Sequence, residues 1–542
     1  MIRWFKKLWN GETDGLSAAA FVVGAASLAS RLIGVLRDRV LASTFGAGDA
    51  LDAYYAAFRL PDLLYTLVIF GALTAGFIPV FSEYLERRGE KDAMRLAGQV
   101  VSLVAIVMAL ACAGFILATP QLVPWMTPGY TGEKLQLTID LSRIIFLSPI
   151  LLGLSAVYGG VLQSMRRFFA FALAPVLYNL GIIAGAIFLT PSMGVHGVAW
   201  GVVLGAMLHF LAQVSVAVPL GLVRIPLPSF RSEGVRRIVK LMIPRTASLA
   251  ATQVMLVVLL SLASTLESGA VAVFNLAQNL LMFPVGIVGI SYAIAAFPEM
   301  ARAWSGNRSA DFRSVLVGAA RKIFYFMLPI TALYVLLRAQ FVRLALGAGV
   351  FDWSDTIRTA DLLGWLALAL VAHALVPLLI RAFFATQDSW TPFWISIGVA
   401  GFHTVLAVLW SASYGLNGLG AAATVAAFVQ LLLLWLTLRW RRGGMPYREM
   451  LSSGLKTFIA TAALAAVAYP LRQWLGTVYP LRTFWQVVLQ TFVSMGGGLA
   501  AFLLASWVLR SEEFIELRNA IAGRLWRRAT VKESVDQASG MA

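Results

Sequence analysis

Apolar stretches close to twenty residues long recur along the chain from Leu16 to Leu509, and no fold in water can bury so many of them. Each is near the ~20 residues that carry a helix across a hydrocarbon core about 30 Å thick. The runs are continuous instead of alternating, which speaks for helices over barrel strands. Spans are predicted near 16–37, 51–74, 98–118, 143–164, 169–190, 198–220, 238–263, 270–297, 319–337, 362–385, 393–411, 419–438, 457–471 and 486–509. The fold class read from this pattern is an all-α polytopic membrane protein with about fourteen transmembrane helices. Composition agrees. Charged residues make up 13% and hydrophobic ones 59% of the chain, against roughly 25% charged in a soluble domain. A water-soluble globule and a disordered chain are both ruled out.

The formal charge of +17 comes from 43 Lys+Arg against 26 Asp+Glu. In a soluble protein that excess would point to nucleic acid. Here no nucleic-acid partner is expected; the excess records loop bias, anionic membrane lipids and an anionic cargo. Basic residues crowd the connections after the second, fourth, sixth, eighth and twelfth spans, for example Arg87, Arg88, Lys91 and Arg95, or Arg439, Arg441, Arg442 and Arg448. The connections near 191–197 and 411–418 have none. Both termini are therefore placed in the cytoplasm, which requires an even number of spans. The loop holding Arg338, Arg343 and Arg358 fits least, although Asp352, Asp355 and Asp361 accompany it. The basic, amphipathic opening from Met1 to Trp9 is expected to be a retained interfacial segment. The single cysteine, Cys112, permits neither an intrachain disulfide nor a metal cluster.

Three landmarks recur at nearly one offset. Phe77-Ile-Pro79 matches Phe297-Pro298, Pro175 matches Pro392, and Gly194-Val-His-Gly197 matches Gly415-Leu-Asn-Gly418, with shifts of 219, 217 and 221 (298 − 79, 392 − 175, 415 − 194). Three in order at one shift indicate two six-helix lobes related as parallel repeats, the architecture of transporters that enclose a central cavity. The expected organisation is an amphipathic N-terminus (1–15), a first lobe (16–223), a second lobe (224–442), two appended helices (443–510) and a cytoplasmic tail (511–542).

Ionisable residues inside these spans are costly and therefore informative. In the first span, Ser27, Arg31, Gly34 and Asp38 share one helical face by 3–4 spacing. Arg31 lies roughly 22 Å along a helix that begins near Leu16. The bland reading is that Arg31, Arg37 and Arg39 snorkel to the headgroups. In the second span Asp52 and Arg59 stand seven residues apart and can face the same way; the bland reading there is a structural ion pair. Pro244-Arg245 sits inside the seventh span or at its end, and Arg381 reads as a boundary charge. Taken together, Arg31, Arg37, Arg59 and Arg245 can line one cationic chamber. Guanidinium groups bind phosphate in bidentate fashion, so the implied cargo is an anion such as a phosphate or diphosphate. The four histidines (His196, His209, His373 and His403) read as packing or interfacial residues. No Walker loop, HExxH or nucleophile elbow is present.

Several strings of these residues resemble the MurJ (MviN) lipid II flippases: Ser30-Arg31-x-x-Gly34-x-x-Arg37-Asp38, Phe45-Gly46-Ala-Gly48-x-x-x-Asp52-Ala-Tyr54, Phe58-Arg59-Leu-Pro61-Asp62-Leu-Leu64 and Phe77-Ile-Pro79-x-x-Ser-Glu83-Tyr84. The resemblance continues through Arg381-Ala-Phe-Phe-Ala-Thr-Gln-Asp388-x-x-Thr391-Pro392 and Gly415-x-x-Gly418. It implies the MOP exporter superfamily, fourteen helices, and translocation of undecaprenyl-diphosphate-linked peptidoglycan precursor (lipid II) across the bacterial inner membrane. It also implies that Arg31 and Arg37 contact the diphosphate–sugar headgroup, that the two terminal helices form a groove for the lipid tail, and that cell-wall synthesis machinery is a partner. This chain departs from the family pattern where basic residues and an acid are usual: Tyr65, Thr66 and Phe70 occupy those places, and Gln278-Asn279 stands where the family carries an arginine. Arg245 is a candidate to restore one charge, and Ser27, Gly34, Asp38, Asp52 and Asn279 are expected to support or gate the site. Other readings are a sibling exporter of another polyprenyl-linked oligosaccharide or of drugs, and a membrane glycosyltransferase using Asp352, Asp355 and Asp361. A drug exporter would place acids in the membrane, where this chain places arginines. No cofactor is expected. Membrane potential, protons or sodium are all compatible as the energy source, and no sodium site is assignable from the residues.

Overall fold

The computed structural model describes residues 16–70, 76–222, 226–227, 232–443, 447–479 and 483–519, with the side chains at 16–21, 70, 243–252 and 447 outside that description. All of the expected N-terminal segment, most of the tail, and the loop arginines Arg224 and Arg231 thus lie outside the described residues. Among the described residues every regular element is helical.

Helix α1 (Leu16–Phe45) extends eight residues past the predicted span and stops at Gly46, whose φ of 63° turns the chain. The second span is broken: α2 (Asp49–Ala57) ends at Phe58, and α3 (Arg59–Tyr65) runs into a π-helical turn at Thr66–Phe70. Pro61 lies in the first turn of α3, where its missing N–H costs no helical bond, so the break falls just before it. There follow α4 (Ile78–Arg87), α5 (Glu90–Met126), α6 (Gly132–Ile145), α7 (Leu147–Ser164), α8 (Phe168–Ala184), a second π turn (Gly185–Leu189), the short α9 (Thr190–Met193) and α10 (Val195–Ala217). The later elements are α11 (Glu233–Ser264), α12 (Ala270–Pro284), a third π turn (Val285–Gly289), α13 (Ile290–Ser305), α14 (Ser309–Leu336), α15 (Arg338–Leu346), α16 (Trp353–Leu368), α17 (Leu370–Ala385), α18 (Trp390–Arg442), α19 (Tyr447–Val478) and α20 (Phe484–Val508).

Among the described residues nine helices are long and apolar enough to cross a membrane, or ten when the bent pair α16–α17 is one crossing. This is fewer than the predicted fourteen. The first, second and seventh predicted spans are not among them, and the eleventh and twelfth run together as the 53-residue α18. At 1.5 Å per residue α18 would be ~80 Å long if straight, far beyond a bilayer. Gly415 interrupts it with φ 54° and ψ −134°.

The repeat is written in the backbone. Residues with positive φ pair off along the chain as Gly46 with Gly269, Gly89 with Asn307, Gly132 with Gly349, Arg166 with Gln387, Gly194 with Gly415, and Gly221 with Gly443. All six shifts fall between 217 and 223 residues (349 − 132 and 269 − 46), within two residues of the 217–221 spanned by the proline and glycine landmarks. The first and third π turns obey it too, since 285 − 66 is 219.

Packing sorts the chain into two compact units. One comprises Met1–Leu280, Ala345–Leu362 and Ala400–Ala422; the other comprises Leu281–Leu344, Leu363–Val399 and Ala423–Ala542. In the first, α1 lies along α8, and α8 with its π turn meets α10 through Gly181 and Gly185 facing Gly201 and Gly205, where a Cβ would strike backbone. Close backbone approach through small residues is how helices associate without a hydrophobic driving force between them. In the second, α19 and α20 pair and cover α14 with Tyr325, Leu333, Leu464 and Phe502 at the shared core.

Candidate functional site

The polar face of α1 ends in a hydrogen-bonded knot. Arg37 donates to Asp38 Oδ1 through Nε and Nη2 at 3.0 and 2.7 Å, and through Nη1 to Asn179 Oδ1 at 3.0 Å. Asn179 donates to the Pro175 carbonyl one turn back on α8, which aims its amide oxygen at the guanidinium. Asn279 on α12 donates to the other Asp38 oxygen at 2.9 Å. Asp38 is 4% exposed, so its two oxygens have their partners where water does not supply them. Arg37 uses three of its five N–H donors in these bonds and retains two for an anion. Asn279 thus has a defined role: a neutral amide completes Asp38 without adding a second cation to it.

Arg31, further back on α1, has no hydrogen-bond or ion-pair partner among the described residues and is half-buried. Ser27 is exposed, and a Cβ on Gly34 would meet nothing within 4 Å, so this face has open space beside it. In α3, Arg59 keeps a buried Nε with no bond among the described residues. Arg245 falls on α11, with its side chain outside the described residues. The structure therefore gathers Arg37, Asp38 and Asn279, leaves Arg31 without a described partner, and sets Arg59 within the electrostatic reach of Asp62.

The bland alternative, a structural ion pair of Asp52 with Arg59, does not form. Asp52, 1% exposed, accepts Lys134 Nζ at 2.7 Å together with the backbone N–H groups of Gly269 at 2.8 Å and Ala272 at 2.7 Å. It caps the N-terminus of α12, where helix donors lack intrahelical partners and the dipole favours an anion. Asp49 accepts the same ammonium at 2.6 Å and the Ser268 hydroxyl at 2.7 Å. These two bonds hold the Asp49 carboxyl below its ordinary value. Across the repeat the device is returned: Asp355, early in α16, accepts the Ala47 N–H at 3.0 Å, just ahead of α2. Asp352 takes the Asp355 N–H at 2.8 Å as a cap of α16. Asp352 and Asp355 thus hold backbone, and no group of three or more His, Cys, Asp or Glu poised for a metal occurs among the described residues.

Sequence reading missed Lys134, Asn179 and Ser268. Lys134 left one signal: it is a cation in a connection otherwise poor in them. Asn179 left none, being an amide inside an apolar span. His209 lies with its Nδ1 2.7 Å from the Ser155 hydroxyl. Cys112 is buried and free.

Comparisons with known proteins bear on this arrangement. The profile of a family described as "Lipid II flippase MurJ" matches residues 41–488. The "Lipid II flippase MurJ" of Burkholderia cenocepacia is 29% identical over 468 residues, covering 85% of this chain and 90% of that protein. The "Probable lipid II flippase MurJ" of Rhizobium meliloti is 32% identical, covering 85% and 87%. Among solved structures, one described as "Lipid II flippase MurJ, inward closed conformation" superposes with a TM-score of 0.75 at 21% identity, covering 90% of this chain and 98% of that one. An inward-facing multidrug resistance MATE family transporter of the MOP superfamily gives 0.67 at 19% identity, covering 76% and 94%. At these identities the structural likenesses speak for the fold.

Proposed function

Because the chain belongs to the lipid II flippase MurJ family, we propose that it carries the undecaprenyl-diphosphate-linked peptidoglycan precursor across the bacterial inner membrane by alternating access, as a transporter and not an enzyme. The observation that carries this reading is the state of its arginines. Arg31 has no described partner, and Arg37 is oriented by Asp38 and Asn179 with donors to spare. A diphosphate offers the oxygens that such groups bind, and in a low-dielectric site charge-assisted bonds of this kind are strong. Arg59 and Arg245 complete the proposed set of headgroup contacts, with Ser27 and Gly34 leaving room beside Arg31. Asp38 and Asn279 orient Arg37.

Asp52 belongs to a gate. Its bonds to Gly269, Ala272 and Lys134 tie the start of the second span to the start of α12, and they must part for cargo to leave on that side. The basic connections support cytoplasmic termini and an even fourteen crossings, with lobes at 16–223 and 224–442 and the appended helices at 443–510 offering the lipid tail a groove. The test is reconstitution in proteoliposomes with fluorescent lipid II. Wild type should expose the headgroup to an external reagent, and Arg31→Ala should reduce that rate at least tenfold. Wild-type growth of a flippase-depleted strain carrying Arg31→Ala refutes the reading.

A further inference from the structure

The second unit contains a hollow of about 460 Å³ between α14, α17, α18 and α19, away from the arginines proposed to hold the headgroup. Its walls are nearly all carbon, and the charged Arg321 and the Ser453 hydroxyl among them are bonded to carboxylates. Arg321 donates to Glu513 and Glu512 at 2.8 and 2.6 Å, and the Ser453 hydroxyl donates to Glu513 at 2.7 Å. An anion entering here would meet a guanidinium whose charge Glu512 and Glu513 already balance, so the largely carbon interior favours hydrocarbon.

The repeat shows that this space belongs to the second half. At a shift of 221, the lining residues Leu379 and Leu431 correspond to Tyr158 and Phe210 (379 − 158 = 431 − 210 = 221). In the first half those two rings meet edge to face, 5.6 Å between centroids. Arg321 corresponds to Ser102 (321 − 102 = 219), whose hydroxyl bonds the Pro226 carbonyl of the following linker at 2.6 Å. The first half fills the place with two rings and roofs it with its own chain. The second half carries leucines there, and Gly454 of α19 at the wall, where an added Cβ would touch only the Phe324 ring at 4.0 Å.

The occupant follows from the surroundings. The hollow lies among helices that cross hydrocarbon, and its rim residues Phe428 and Leu432 are 44% and 55% exposed, open to acyl chains. One turn beyond Trp435 on the same face of α18, Arg439 is exposed at the edge of the basic turn, placed to meet a lipid phosphate. We propose that the hollow holds one acyl chain of an anionic phospholipid from the leaflet on the side of the basic turns, wedging α19 against α14 and α18. One wall, α19, belongs to the appended pair proposed to hold the cargo's lipid tail, so the test below includes a competitor for that tail; none of the helices bearing the headgroup arginines or α20 contributes to the lining.

The experiment uses the full chain in vesicles of phosphatidylethanolamine and phosphatidylglycerol, with a phosphatidylglycerol bearing a diazirine on one chain. Photolabelled peptides are mapped by mass spectrometry. Labelling of the segments around 428–435 and 450–454 is expected. It should fall at least fivefold in the double variant Leu379→Tyr/Leu431→Phe, which copies the first half's rings, and in Gly454→Leu, which fills the space without backbone strain. Melting and gel filtration establish that each variant is folded; if the double variant is not, Gly454→Leu carries the test. Equal labelling in wild type and a folded filled variant overturns the proposal. So does loss of labelling to equimolar undecaprenyl phosphate, which would make the hollow a cargo-tail site.

Discussion

Arg31 and Arg37 lie on one helix and serve one proposed cargo, yet the chain depends on them differently. Arg37 is the main partner of a buried carboxylate, and without it Asp38 keeps a single bond from Asn279. Leaving a buried acceptor short of a partner costs about 1–3 kcal/mol, more when it is charged. Arg31 supports nothing comparable among the described residues, and substitutions at such positions usually stay within about 0.5 kcal/mol. Arg31→Ala is therefore expected to melt like the wild type while losing transport. Arg37→Ala should lose both, and Arg37→Ala/Asp38→Asn should recover part of the stability without recovering transport. Thermal melts in detergent beside the liposome assay read the two effects separately. Equal melting of the two single alanine variants would mean that Asp38 does not need its guanidinium.

At the scale of elements, the joints carry the repeat more faithfully than the helices do. Gly194 and Gly415 take nearly the same conformation, φ 59°, ψ −143° and φ 54°, ψ −134°, a region essentially reserved for glycine. Gly415→Ala should destabilise by about 1–3 kcal/mol. Gly401→Ala in the same helix, where a Cβ meets nothing within 4 Å, should be neutral or slightly stabilising. Similar melts for both would show that the kink at Gly415 relaxes freely. This pattern also explains what the sequence could and could not disclose. Glycine and proline announce themselves at turns, so the Gly194–Gly415 correspondence was readable, and apolar runs located most helices. The break at Phe58 was partly visible in Pro61, whereas the π turn at Thr66–Phe70 has no residue signature. The partners of Asp52 could not be read because helical spacing sees only neighbours on one helix. Its partners are Lys134, 82 residues on, and backbone groups more than 200 residues on, which only tertiary packing brings near.

For the molecule as a whole, transport by alternating access asks that a closed end come apart and close again on every cycle. Within the first unit, segments from both halves of the repeat are joined at one end by reciprocal carboxylate-to-backbone bonds. Asp52 holds Gly269 and Ala272, Asp355 holds Ala47, and the Gly269 backbone sits so close to the Ala47 carbonyl that no side chain fits between. Such bonds suit a gate: each is a modest net contribution in exchange for water, so the set can break without unfolding a helix. A covalent bond in the same place cannot. The native chain has only Cys112, which is buried, so Ala47→Cys/Ser268→Cys should form one disulfide on oxidation. Oxidised protein is expected to lose flipping completely and to regain it with dithiothreitol, while each single cysteine variant transports normally under both conditions. Should the oxidised double variant flip lipid II at the reduced rate, this end does not open during transport, and cargo must leave by a route that keeps α2 and the start of α12 together.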